Sequence, residues 1–213
     1  FVIAVFLLGT GYFFTYNIFL TGVGTMDQTL QNMGILLLTL IPVLTMRLLS
    51  AEYSGRTIEL LMTLPLTKWQ VVLGKYFGAV SIFLLMTLAS CINLIPLYIY
   101  GNPQTLNIFS GYLGFVLLGM SCIAIGQFFS SLTENQIVAA LITIPVLLAF
   151  WFVGHLKGLQ SSVVMRELYV NLSFALHFGD FISGLFRSEA LVFFLAVIAT
   201  ALTLNISFLK MRR

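Results

Sequence analysis

Charge is what this sequence has least of. Of 213 residues only 8% are Asp, Glu, Lys or Arg, ten basic and seven acidic, against 60% apolar residues and a mean hydropathy of +1.05. Soluble domains carry about 25% charged residues, so this set is too small to clothe a soluble core. The shortage excludes a soluble enzyme or a nucleic-acid-binding domain. Cysteine is scarce too: Cys91 and Cys122 both sit inside long apolar runs, which excludes a disulfide framework and fits small core residues. His155 and His177 have no His, Cys or carboxylate at ligand spacing, so no metal site is expected. The chain begins with Phe1 and no basic stretch precedes its apolar run, which predicts a preceding segment rather than an intact signal peptide.

What is present is long runs without charge. An ionised side chain at mid-bilayer costs about 2.5–3.5 kcal/mol on insertion scales, so the gaps between charges mark membrane spans. Neither charged residues nor His occur in Phe1 to Met26, Gln28 to Met46, Asn135 to Gly154, or Ala190 to Leu209. Each gap holds about the 20 residues needed to cross a ~30 Å hydrocarbon core. The gap from Tyr76 to Thr133 suits two crossings, and Gly101-Asn102-Pro103 breaks it near the middle with turn chemistry. The expected fold is all-α, one membrane domain over 1–213 with six spans near 1–20, 30–49, 73–100, 107–130, 136–155 and 189–209. The runs are too long and too continuously apolar for barrel strands.

With six spans both termini share a side. Lys210, Arg212 and Arg213 follow the last span and place that side in the cytoplasm by the positive-inside rule. The connection between spans two and three then also faces the cytoplasm and carries Arg47, Arg56, Lys68 and Lys75. Lys157, Arg166 and Arg187 fall in the long outer connection, where length weakens the rule. In that connection, over 160–187, Val163, Val164, Leu168, Leu172, Ala175 and Leu176 recur at helical spacing and predict a helical cap of two short pieces at the interface.

The stretch Arg47 to Lys75 is the longest inner connection. Within it Thr57 to Leu64 is a strong helix former, with Ser54 and Gly55 before it and Pro65 after it, so a short amphipathic helix outside the bilayer is expected over about 51–65. Glu52 and Glu59 suit its dipole, and Leu60, Leu61 and Leu64 offer an apolar face. The pattern alone fits a helix docked on a protein partner and one lying against lipid headgroups equally well.

The run Glu52-Tyr53-Ser54-Gly55-Arg56-Thr57-Ile58-Glu59-Leu60-Leu61-Met62-Thr63-Leu64-Pro65, with Trp69 to Lys75 after it, resembles the coupling-helix region of type 2 ATP-binding-cassette (ABC) transporter permeases, closest to the gliding-motility-type (GldF-like) subgroup. Ser130 to Ala139, and Leu168 to Ser173 through His177-Phe178, are similar to that subgroup as well. The family usually has Gly directly before the Thr of the motif, whereas here Arg56 stands there and Gly55 comes one residue earlier.

The resemblance implies a permease subunit of an ATP-driven exporter or extractor in a bacterial inner membrane. It pairs with a second permease copy, identical or not, and with two ABC ATPase subunits that hold ATP and Mg. It implies coupling through Glu52, Gly55, Arg56, Thr57, Glu59, Leu60, Leu61 and Leu64, and a pathway or dimer seam along Thr39, Pro42, Thr45, Thr143 and Pro145. No cofactor and no nucleic acid is expected on this chain, which is non-catalytic. Gly74-Lys75 is followed by Tyr76 and lacks the features of a phosphate loop. An alternative within the same family is a mechanotransmission or anchoring subunit that drives an extracytoplasmic partner. Span four carries Gly111, Gly114, Gly119, Ser121 and Gly126, small residues that suit helix contacts within one subunit.

Overall fold

The computed structural model describes residues 2–21, 26–55, 67–100, 104–154 and 163–211. Every regular element among them is helical: α1 Val2–Thr21, α2 Asp27–Thr45, α3 Ser50–Ser54, α4 Lys68–Ser90, a 3-10 turn Cys91–Asn93, α5 Leu94–Tyr100, α6 Thr105–Leu132, α7 Gln136–Phe152, α8 Val163–Leu172, α9 Phe174–Ile182 and α10 Ser188–Met211. The starts follow from local chemistry. Thr67 and Gln70 form a reciprocal capping box at α4, Asn135 accepts from the Ile137 N–H at α7, and Ser173 accepts from the Leu176 N–H at α9. Each side chain satisfies a backbone donor that the first turn leaves open. Between α4 and α5 the helix tightens at Cys91–Asn93. Pro96 follows within α5; its ring crowds the carbonyl four residues back and offers it no N–H.

The bundle is organised around α6, which carries buried residues from Ile108 to Ser131 and packs against α2, α4, α7, α9 and α10. Small residues make this possible. A Cβ on Gly111 would stand 2.5 Å from Leu30 of α2, one on Gly114 2.5 Å from Phe181 of α9, and those on Gly119 and Gly126 would collide with Phe83 of α4 and Thr45 of α2. Lipid tails are as apolar as leucine, so helices in a membrane associate through such close approach rather than through expulsion of water. Aromatic rings fill the remaining space: Phe115 of α6 lies 6.2 Å from Phe6 of α1, 5.7 Å from Phe83 and 6.4 Å from Phe178 of α9. Asn17 donates to Thr29 Oγ1 at 3.1 Å and ties α1 to α2.

Among the described residues four helices are long and apolar enough to cross a bilayer: Asp27–Ser54, Lys68–Ile99, Thr105–Leu132 and Ser188–Leu209, taken through their short bends. These match the second, third, fourth and sixth expected spans. The first corresponds to α1, Val2–Thr21, and the fifth to the shorter apolar helix Gln136–Phe152. Seventeen residues of α7 rise about 26 Å, slightly under the ~30 Å hydrocarbon core.

Residues 163–182 form two short helices, but their roles differ. On α8, Val164, Leu168 and Leu172 are exposed, whereas α9 buries Phe174, Phe178, Phe181 and Ile182 against α6, α7, α10 and α2. The break lies at Ser173, and Gly179 is inside α9. Gly184 closes α9 at φ +76°, with the Leu185 N–H bonded to the Asp180 carbonyl at 3.0 Å. That is the six-to-one bond of a helix stop that needs a left-handed residue.

Candidate coupling site

Residues 56–65 of the expected coupling helix lie outside the described residues, but both limbs that lead to them are described. The first limb leaves α2 through the turn Met46–Leu49 and enters α3. One hydroxyl holds that bend: Ser130, at the end of α6, accepts from the Leu49 and Ser50 N–H groups at 3.1 Å each and donates to the Met46 carbonyl at 3.0 Å. Ser50 donates to the same carbonyl. These groups are buried, where an unmet backbone donor costs about 1–3 kcal/mol, so α6 fixes the angle at which the limb departs. Ser54 is the last residue of α3 and Gly55 its cap, with the Gly55 N–H bonded to the Ala51 carbonyl at 3.0 Å.

The second limb returns at Thr67 into α4 and is tied down at four points. Lys68 Nζ donates to the Leu209 carbonyl at 2.7 Å, a cation on the negative end of α10. Gln127 Nε2 donates to the Val72 carbonyl at 2.9 Å, and Tyr76 OH to the Met120 carbonyl at 3.2 Å. The fourth point joins the limbs to each other: Lys75 Nζ lies 2.5 Å from Glu52 Oε1 and also donates to the Leu48 carbonyl. The two side chains are 23% and 22% exposed, so this clasp is shielded more than a surface pair. The contact between Glu52 and Lys75 thereby joins the two limbs at their base.

On the same side as Ser54, an open cleft is lined by Ser54, Glu134, Asn135, Gln136 and Ile137. It brings the Glu52–Gly55 stretch next to the turn between α6 and α7, two of the three segments singled out above. The third lies by Ser173, whose carbonyl is 2.8 Å from His177 Nδ1; the His177 ring stacks on Phe193 of α10 at 4.2 Å. No group of three metal-ligating side chains occurs among the described residues.

Of the coupling residues, Glu52 is half-buried in the clasp and Gly55 is exposed, while Arg56, Thr57, Glu59, Leu60, Leu61 and Leu64 lie outside the described residues. The seam residues divide. Thr39 of α2 and Pro145 of α7 are exposed; Pro42, Thr45 and Thr143 are buried within the chain. Thr45 donates to the Ile41 carbonyl at 2.9 Å and Thr143 to the Ala139 carbonyl at 2.7 Å, the usual way for hydroxyls to be satisfied in an apolar helix. Sequence reasoning missed Ser130, Gln127 and the Glu52–Lys75 pairing. Only the Thr67-Lys68-Trp69-Gln70 capping box carried a local signal.

A model of the family described as ABC-2 family transporter protein matches residues 11–163. The chain belongs to the ABC-2 transporter family. The match spans most of the chain and includes both limbs, the clasp and the cleft. No curated protein matches it. The ABC-2 chain is therefore a permease component of an ABC transporter, a multi-pass membrane protein whose family works with ATPase partners.

Proposed function

We propose that this permease, of the gliding-motility-type subgroup, couples ATP hydrolysis on two partner ATPases to export or extraction of a substrate, and itself performs no chemistry. ATP and Mg belong to the ATPases. Six spans with both termini cytoplasmic put residues 52–66 on the inner side of a bacterial inner membrane, where the ATPases reside. The observation that carries the reading is the closed base of the loop. Because Glu52 and Lys75 join the limbs, and Ser130 and Leu209 hold them to α6 and α10, a displacement applied at 56–66 moves α2 and α4 together instead of dissipating in a slack loop. Leu60, Leu61 and Leu64 are the anchors and Arg56 and Glu59 the rim contacts. Glu59→Lys combined with Leu61→Asp is expected to abolish co-purification of the ATPase and permease-dependent ATP turnover; unchanged values of both would refute the docking role.

The second permease copy, identical or not, packs along the exposed face of α2 and α7. Thr39 and Pro145 are exposed there together with Ile35, Ile137 and Leu141. Cysteine at Thr39 is expected to form a cross-link between copies in native membranes. Cysteine at Thr143, 1% exposed, is expected to form none, and the reverse pattern would move the seam elsewhere.

A further inference from the structure

We propose that Gln127 and Asn205 form a two-position amide latch: Gln127 holds Val72 of α4 in this structure and pairs with Asn205 of α10 once α4 has moved. The inference rests on the coupling reading above and names what receives the motion inside the bundle. Gln127 and Asn205 are both 0% exposed. Gln127 uses its Nε2 on the Val72 carbonyl. Among the described residues its Oε1 and both Asn205 amide atoms, Nδ2 and Oδ1, are buried with no hydrogen-bond partner. Such atoms cost stability in a span, where lipid offers them no hydrogen bond.

The helix register sets the two amides at one depth. α10 packs along both α6 and α4. Lys68 opens α4 and meets the carbonyl of Leu209, near the end of α10, so the two helices run in opposite directions from this contact. One helical turn further into the bundle stand Val72 on α4 and Asn205 on α10. Gln127 already reaches Val72 from α6, so Asn205 stands at the depth that the Gln127 side chain occupies.

Two primary amides can pair reciprocally, each donating an N–H to the oxygen of the other. That pairing satisfies Gln127 Oε1 and both Asn205 atoms together. It releases the Val72 carbonyl, which lies inside α4 and keeps its bond within the helix. The same two side chains thus have two discrete arrangements, which is what a packed seam needs in order to switch. Lys68 on the Leu209 carbonyl and Tyr76 on the Met120 carbonyl hold α4 in the first arrangement, one on each side of Val72. α4 is the span that the loop moves, so drawing Val72 away from Gln127 is the step that frees the amide.

The test reads the unfolding midpoint of the purified permease alone and the permease-dependent ATP turnover of its complex with the ATPase. Asn205→Leu keeps the branched shape of the side chain and removes its unpaired atoms. It is expected to raise the midpoint by about 2–4 °C while lowering turnover about three- to tenfold. Ser110→Ala also removes an unpaired buried atom, but roughly 25 Å from Gln127 along α6; it should not lower the midpoint and should leave turnover unchanged. Gln127→Asn, too short for the pair, should lower turnover as Asn205→Leu does. The exchange, Gln127→Asn with Asn205→Gln, restores the summed length and should recover turnover to within about twofold of the wild type. A midpoint that falls with Asn205→Leu overturns the proposal, because the amide would then be paired in this structure. So does unchanged turnover in Asn205→Leu, an equal loss with Ser110→Ala, or an exchange that recovers nothing; in each case wild-type turnover still depends on the permease and the coupling reading stands. Wild-type turnover that does not depend on the permease refutes the coupling reading, and this inference with it.

Discussion

Replacing Gly114 with valine is expected to cost roughly 1–3 kcal/mol of stability or more, the range for forcing extra atoms into a filled core. A Cβ there would stand 2.5 Å from Phe181 Cβ and 2.8 Å from its Cγ, so the contact falls near the backbone of α9 and a side-chain rotation cannot relieve it. Phe181 has nowhere to retreat: it is 1% exposed and flanked by Phe186 and Phe194, each with its ring centre 6.4 Å away. The valine should therefore push α9 out of the bundle. Unfolding midpoints of the purified chain in detergent measure the effect. Gly78 on α4 is the control, because a Cβ there meets nothing within 4 Å. Gly78→Ala should be neutral or stabilising by up to about 1 kcal/mol, since it removes a flexible residue from a helix interior. Combining Gly114→Val with Phe181→Gly, which removes the Cβ that alanine would keep, should cost less than the sum of the single changes. Strict additivity would mean that the α6–α9 contact is not what the valine disturbs.

The glycines of α6 were legible because closeness in a membrane bundle is written in residue size, and size is local. The charge gaps around α2, α4, α6 and α10 were legible for a similar reason: each span excludes charge along its own length. The end of α7 was harder to read. A charge gap such as Asn135 to Gly154 bounds a span without saying where its helix ends, and α7 stops at Phe152. The cap was half legible. The 3.6-residue period over 163–176 predicted helices, yet it carries no information about which helix packs inward. The choice fell to Phe174, Phe178 and Phe181 because rings from α6, α7 and α10 already stand there: Phe150 lies 5.2 Å and Phe194 5.9 Å from Phe174. Least legible was the base of the coupling loop. Ser130 meets Leu49 and Ser50 across some eighty positions, and a serine at a helix end has many uses. Glu52 and Lys75 come together only because α3 and α4 return to the same end of the bundle.

That pairing sets the second large effect. Glu52→Lys is expected to uncouple the permease from its ATPase, because it places two cations at the base of the loop and leaves Lys75 with the Leu48 carbonyl as its remaining acceptor. An exposed ion pair contributes about 0.2–1 kcal/mol and a hydrogen bond to a charged group about 1.5–3 kcal/mol. A half-buried clasp lies between them, so a loss of roughly 1–3 kcal/mol is expected, with like-charge repulsion taking it toward the upper end. If the limbs must be joined for movement to reach α2 and α4, permease-dependent ATP turnover should fall by about tenfold for each 1.4 kcal/mol by which the joined state is weakened. Lys75→Glu alone should behave the same way. The exchanged pair, Glu52→Lys with Lys75→Glu, should restore most of the turnover but not all of it, because a carboxylate at 75 cannot donate to the Leu48 carbonyl. Raising salt should weaken the restored pair only modestly, since partial burial limits screening. Turnover that follows each single change but is not recovered by the exchange would show that the two positions act separately, and that the base of the loop is not held by their attraction.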